Sequence, residues 1–268
     1  MTRCLIAVGT NLGNRAVALD RALSALSKLP STTLLARSRW HETPPVGGPA
    51  GQEIFFNGAI VLETSLSARS LAGHLWQVET DFGRTRRVRW DARVLDLDIL
   101  LYGNQRINEA DLVIPHPRMT FRRFVLDPAV EIAGSMVHPP SGWTLAALRR
   151  QLCQAARQVV VVAGDSQCAE WLSEQLQRDF LGASQVSGRV VDTIAVRQLS
   201  RIPLSRTVAA LDRPALVIAL DPLEEEQLVE RVLDQMGPGP LARITAAEPA
   251  TVLQEARAAI RSAWPENI

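Results

Sequence analysis

A chain of 268 residues, 47% hydrophobic and 21% charged, has the composition of a soluble globular protein and the length for one large domain or two ordinary ones. A net charge of +1 argues against a general polyanion binder, though not against a local basic site. The apolar run in MTRCLIAVGT is too short for a signal peptide and VVVVAG at 159–164 too short to cross a bilayer, so a cytoplasmic protein is expected. In chain order, RCLIAV (3–8) reads as a strand and GTNLGNR as a turn. Val17, Leu19, Leu23 and Leu26 give helical spacing over 14–28, ended by Pro30. TTLLARSRWHE (32–42) reads as one strand that stops at Thr43-Pro44-Pro45. VGGPAGQE is a glycine-rich loop and FFNGAIVLET (55–64) a third strand. Leu71, Leu75, Val78 and Phe82 mark a helix closed by Gly83, and VLDLDILLY is a fourth strand turned by Gly103-Asn104.

This order, strand–helix–strand–strand–helix–strand, predicts an α+β, ferredoxin-like βαββαβ domain, an antiparallel sheet with two helices on one face. The chain continues through IPHPRMTFRRFVLDPAVEIAG and HPPSG to a helix at 144–157. From residue 158 the texture changes. Short buried strands (VVVVAG, PALVIALD, ARITAA) alternate with helices at 166–181, 223–236 and 249–264, which predicts a second, small α/β domain with a parallel sheet. The expected division is 1–157 and 158–268.

Cys4, Cys153 and Cys168 are odd in number and have no zinc-ligand spacing; they read as small buried hydrophobes. Lys28 is the only lysine and has no glycine-rich loop near it, so the phosphate loop ending in Gly-Lys-Ser/Thr is absent. If phosphates are handled here, arginine and metal must do it. Within the fourth strand Asp96 and Asp98 share one face, with Leu95, Leu97 and Ile99 on the other. Two carboxylates side by side suit Mg²⁺, which binds through one or two carboxylates plus substrate phosphates. Just upstream, RTRRVRWDAR puts Arg84, Arg86, Arg87, Arg89 and Arg93 in one connecting loop, and guanidinium forks match phosphate oxygens. Either feature alone is more often solvated surface. Their adjacency inside an apolar strand favours phosphoryl-type transfer. A nucleic-acid reading of the arginines leaves the aspartates unexplained. Phe55 and Asn57 share a face of the third strand, and with Trp90 and Phe124 they suit a planar heterocycle with edge hydrogen bonds; for Phe55 and Phe124 alone, core packing explains as much.

Taken together, AVGTNLGNR, HETPPVGG, FFNGAIVLET, VETDFGR, RWDARVLDLDILLYG and IPHPRMTFRRFVLDPAVEIAG resemble the 6-hydroxymethyl-7,8-dihydropterin pyrophosphokinase family over about residues 3–153. The resemblance implies pyrophosphoryl transfer from ATP to the pterin hydroxymethyl group in folate biosynthesis, with release of AMP. It implies two Mg²⁺ ions on Asp96 and Asp98, and Arg84 and Arg93 as phosphate clamps with Trp90 closing over them. Thr43, Pro44, Val46, Phe55, Asn57 and Phe124 match the pterin site. Glu79, His116 and Arg122 match the ATP side. Three departures stand out: Phe55 stands where some relatives have tyrosine, Pro117 follows His116 where tyrosine can occur, and the arginine loop is one residue shorter. The alternative is a pterin- or nucleotide-binding regulatory or scaffold protein with reduced turnover, against which the intact aspartates and arginines argue.

Residues 158–268 carry no such match. GPLARITAAEPATVLQEARAAI resembles part of a nucleoside-kinase-like α/β domain, but VVVVAGDSQCAEW lacks the phosphate loop, and Asp221 reads equally well as a helix cap. A degenerate, non-catalytic domain is expected, with contact to another folate enzyme or self-association as its role. The expected ligands are the pterin and ATP, with no nucleic acid and no membrane.

Overall fold

The computed structural model describes residues 1–47, 51–83, 94–154, 159–163, 166–181, 216–220, 239–246 and 248–265. The chain divides into two compact units, Met1–Ala146 and Ala147–Ile268. The first is built on an antiparallel sheet. Strands β1 (Thr2–Thr10), β2 (Thr32–Arg37), β4 (Phe55–Thr64) and β5 (Asp96–Tyr102) lie in the order β2-β4-β1-β5, and the short β3 (His41–Thr43) pairs with the start of β4.

One face of this sheet is the main core. Cys4, Ile6 and Val8 of β1, Ile60 and Leu62 of β4, and Leu97 and Ile99 of β5 meet helices α1 (Arg15–Leu26) and α2 (Ala68–Asp81) through Leu19, Leu26, Leu71 and Leu75. Both helices start on a side-chain cap. Asn14 Oδ1 accepts the Val17 N–H and Ser67 Oγ the Ser70 N–H, each satisfying a first-turn donor. Gly83 follows α2 at φ 82°, a left-handed stop that favours glycine. Val17, expected on the buried stripe, is instead 49% exposed; Ala18 and Ala22 take the inner positions beside Leu19.

The other face tapers toward one end. Residues directly opposite one another in an antiparallel ladder share a face. The rows across β4, β1 and β5 therefore read Val61–Leu5–Leu101, then Ala59–Ala7–Asp98, then Asn57–Gly9–Asp96. Along β1 the side chain shrinks from leucine to alanine to glycine while its neighbours turn polar, which leaves room for the Asn57 side chain to lean over Gly9. A one-residue bulge at Leu100 lets Ile99 face the main core and Leu101 the opposite side. Helix α3 (Arg123–Ala133) packs against β4 and β1.

The expected single strand over 32–42 is two strands. Between β2 and β3 the segment 38–40 leaves the ladder, and the Trp40 ring lies against Gly58, where a β-carbon would stand 2.3 Å from its Cζ3. Sequence reading also passed over α3, which contains Pro128, and the hairpins β6–β7 (Ile107–Glu109, Leu112–Ile114) and β8–β9 (Val137–His138, Trp143–Thr144). Proline at position 128 cannot donate to the Phe124 carbonyl and its ring crowds that carbonyl, so the disturbance falls in the first two turns of the helix.

The second unit holds a three-stranded parallel sheet in the order β10 (Val159–Ala163), β11 (Leu216–Leu220), β12 (Leu241–Ile244). β10 and β11 are buried throughout, as strands covered on both faces are. Helix α4 (Leu145–Gln154) leads into this unit, and α5 (Ser166–Leu181) and α6 (Pro249–Ala263) are joined by a two-pronged ion pair from Arg257 to Asp179. Asp221 and residues 223–236 lie outside the described residues. Among the described residues no helix is long and apolar enough to cross a membrane.

Candidate active site

The tapered end of the sheet gathers most of the described residues singled out from the sequence. Asp96 and Asp98 stand on one face of β5, and Leu95, Leu97 and Ile99, each under 10% exposed, on the other. Between the aspartates, the Leu97 N–H donates to Glu79 Oε1 at 2.8 Å. Glu79 is 1% exposed, so its carboxylate reaches the site from behind the strand and braces it between the two aspartates.

His116 is fixed by the bulge. Its backbone N–H donates to the Leu100 carbonyl at 3.0 Å, and its Nδ1 accepts the Arg118 N–H at 3.1 Å. Nδ1 is therefore the acceptor and the ring proton sits on Nε2, which is 3.9 Å from Asp98 Oδ2. Burial, reinforced by the Arg122 and Arg118 guanidinium groups and opposed by Asp96, pushes the imidazole down to about 3. At neutral pH His116 is thus an uncharged N–H donor aimed toward Asp98. Beside it lies a cavity of about 180 Å³, walled by Leu75, Ile99, Leu112 and Val113 and edged by Asp98 and His116. Asp111 lines it too, so apolar side chains alternate with polar ones around a space that suits a flat base whose charged part extends outward.

Across β1, Asn57 lies over Gly9; a β-carbon there would stand 2.9 Å from Asn57 Oδ1. Asn57 Nδ2 donates to Thr43 Oγ1 at 2.7 Å, and Thr43 is opposite Phe55. The next residues, Pro44 and Val46, leave β3 without regular structure. Phe124 opens α3, with the Arg122 guanidinium 5.4 Å from its ring centre. The structure thus brings together Thr43, Phe55 and Asn57, and separately Asp96, Asp98 and His116, with Gly9 between the groups. Arg84, Arg86, Arg87, Arg89, Trp90 and Arg93 lie outside the described residues. No cluster of three or more metal-type ligands occurs among the described residues, but a cation completed by phosphates needs only the two carboxylates present.

A profile of the 7,8-dihydro-6-hydroxymethylpterin-pyrophosphokinase (HPPK) family matches residues 5–134. A 2-amino-4-hydroxy-6-hydroxymethyldihydropteridine pyrophosphokinase of Haemophilus influenzae is 42% identical over 141 residues, 53% of this chain and 88% of that protein. The chain belongs to the HPPK family. A pyrophosphokinase of the same name from Bacillus subtilis is 42% identical over 127 residues, 47% of this chain and 75% of that one. The folic acid synthesis protein fol1 of Pneumocystis carinii is 36% identical over 141 residues, 53% of this chain but 19% of its own length. The HPPK profile ends well before the second unit.

Three features of this HPPK site were missed from sequence: Gly9, the base-sized cavity with Leu112 and Val113, and a carboxylate on α3, Glu131, that binds the 39–41 segment. Gly9 could have been found, since Leu5, Ala7 and Gly9 shrink on one face in the sequence itself. The cavity and the Glu131 contacts join residues far apart in the chain and leave no local pattern.

Proposed function

We propose that the tapered sheet end is where the family's reaction takes place, on a ferredoxin-like split-βαβ scaffold within residues 1–157. The reaction is transfer of pyrophosphate from ATP to hydroxymethyldihydropterin, in folate synthesis. The observation that carries the assignment is the row Asn57–Gly9–Asp96, in which an amide and a carboxylate flank a residue with no side chain. The pterin lies on the Asn57 side. Asn57 and Thr43 present edge hydrogen-bonding groups, Phe55 and Phe124 cover the ring faces, and Pro44 and Val46 line the turn. ATP lies on the Asp98 side, with its base in the cavity walled by Leu75, Ile99 and Val113 and its phosphates directed to Asp96 and Asp98. His116 donates its Nε2–H to a phosphate oxygen, and Arg122 adds charge beside it. Glu79 holds β5 straight between the carboxylates. Arg84 and Arg93 clamp the phosphates and Trp90 closes the site. Asp96 and Asp98 would hold the two Mg²⁺ ions, which when bound neutralise the charge of the phosphates and the carboxylates.

Residues 158–268 are proposed as a non-catalytic α/β domain that contacts another folate enzyme or a second copy of the chain. The match to one fifth of the larger fol1 supports the first reading. Incubation with ATP, Mg²⁺ and the reduced pterin alcohol tests the activity: AMP together with pterin diphosphate is expected. ADP alone would reject it in favour of single-phosphoryl transfer or hydrolysis, and no nucleotide turnover in favour of a binding or scaffold role.

A further inference from the structure

The break between β2 and β3 carries a consequence for the pterin side. Arg37 pairs with Ile60 and His41 with Asn57, so four steps along the edge strand span three along β4. One extra residue therefore sits in segment 38–40. A one-residue slip moves every following side chain to the other face of a sheet. Continued without the extra residue, the β2 register would set Trp40 opposite Asn57 and turn Thr43 away. With it, Trp40 goes to the core face over Gly58, and His41 and Thr43 come to the face of Asn57.

The bulge is held from two sides. Ser38 exchanges both bonds with Ala59, its N–H donating to the Ala59 carbonyl and its Oγ accepting the Ala59 N–H, each at 2.9 Å. The Arg39 N–H finds no strand partner and donates to Glu131 Oε2 at 2.9 Å instead. Glu131 Oε1 accepts from Arg39 Nη2 at 2.9 Å and from His41 Nε2 at 2.9 Å. An ionised carboxylate only accepts, so His41 carries its proton on Nε2. Glu131 lies on α3, two turns beyond Phe124, and the helix packs against both β3 and β4.

We infer that Glu131 is a positioning residue for the pterin, a register clamp that fixes the extra residue of the edge strand and so holds Thr43 against Asn57. It touches no substrate and works through Thr43; the inference rests on the assignment of Thr43 and Asn57 to the pterin. The test is steady-state kinetics on the full chain with ATP and hydroxymethyldihydropterin. Glu131→Ala is expected to raise the pterin KM by about tenfold, the worth of one well-placed hydrogen bond, and to leave the ATP KM unchanged. Thr43→Val should raise the pterin KM by itself, and the double variant should be no worse than the poorer single one, because both remove the same contact. Arg39→Ala, at an exposed position, loosens the clamp while leaving Glu131 on the helix, and should raise the pterin KM in the same direction should Glu131→Ala fail to fold. Additive effects in the double variant, or equal rises in both KM values, would overturn the clamp. A Thr43→Val effect beside unchanged Glu131→Ala and Arg39→Ala would overturn it alone; an inert Thr43→Val would overturn the assignment of Thr43 and the clamp with it.

Discussion

At the scale of single residues the site is governed by what little charge and bulk the tapered face allows. Asp98 is 44% exposed at its side chain and faces an uncharged imidazole, so no cation among its described contacts offsets it. Asp96→Asn and Asp98→Asn keep shape and remove charge. Each should lower turnover by about a hundredfold or more, the scale expected when charge stabilisation of a transferring group is lost. Neither should lower the unfolding midpoint, because neighbouring carboxylates repel; near-normal turnover in either would remove the metal assignment. Gly9 answers to bulk instead. Gly9→Ala would force a β-carbon to 2.9 Å from Asn57 Oδ1, and pushing the amide aside should cost about 1–3 kcal/mol, read as a higher pterin KM with ATP binding intact. Glu131 answers to pH. Hydrogen bonds from the Arg39 side chain and backbone, with His41, hold its carboxyl down at about 2 from an ordinary 4.5. A carboxyl lowered on folding stabilises fully above its unfolded value and loses that contribution as pH falls from about 4.5 toward 2. The melting temperatures of wild type and Glu131→Gln should therefore differ near neutrality and converge over that window; a constant gap from pH 6 to pH 3 would show that the network adds no pH-dependent stability.

At the scale of elements, what the sequence revealed and what it hid have different physical causes. Strands β1, β4 and β5 and helices α1 and α2 were legible because alternation and helical spacing are local, and because Pro30 and Gly83 mark helix ends. The split of residues 32–43 was not. TTLLARSRWHE alternates no worse at Ser38 than elsewhere, and only Gly58, twenty residues on, reveals that Trp40 needs a place on the core face. Likewise the faces of Asp96 and Asp98 followed from period two, whereas the bulge at Leu100 that anchors His116 depends on pairing with Leu5 and Ile6. Helix α3 was obscured by its proline. The break itself should be sensitive to Ser38. Its hydroxyl is the acceptor for the buried Ala59 N–H and donates to the Arg39 carbonyl at 2.7 Å. Ser38→Ala strands that N–H and should lower stability by about 1–3 kcal/mol in urea titration. A change under half a kcal/mol, within the range of ordinary surface substitutions, would mean that the ladder closes without the hydroxyl.

At the scale of the whole molecule, every residue assigned to pterin or nucleotide lies before residue 125, within the first unit and the family match. A chain cut at 146, or one cut at 157 and kept in solution, is therefore expected to retain pyrophosphoryl transfer within about tenfold of the full chain, or about 1.4 kcal/mol of barrier. Where the cut falls decides solubility. Leu148 and Leu152 of α4 are fully buried, and the Trp264 indole N–H, at the end of α6, donates to the Leu152 carbonyl at 2.9 Å. Ending the chain at 157 removes Trp264 and leaves an apolar helix stripe without that neighbour. Ending it at 146 removes the rest of α4 as well, while the Leu145 and Ala146 N–H groups keep their bonds to the Met136 and Gly134 carbonyls. The shorter chain should thus stay monomeric where the longer one aggregates, and Leu148→Gln with Leu152→Gln should rescue the longer one. AMP release and the unfolding midpoint of 1–146, 1–157 and the full chain separate the cases. Folded, soluble truncations that have lost activity would place part of the working site in the second unit, and would end its reading as an accessory domain.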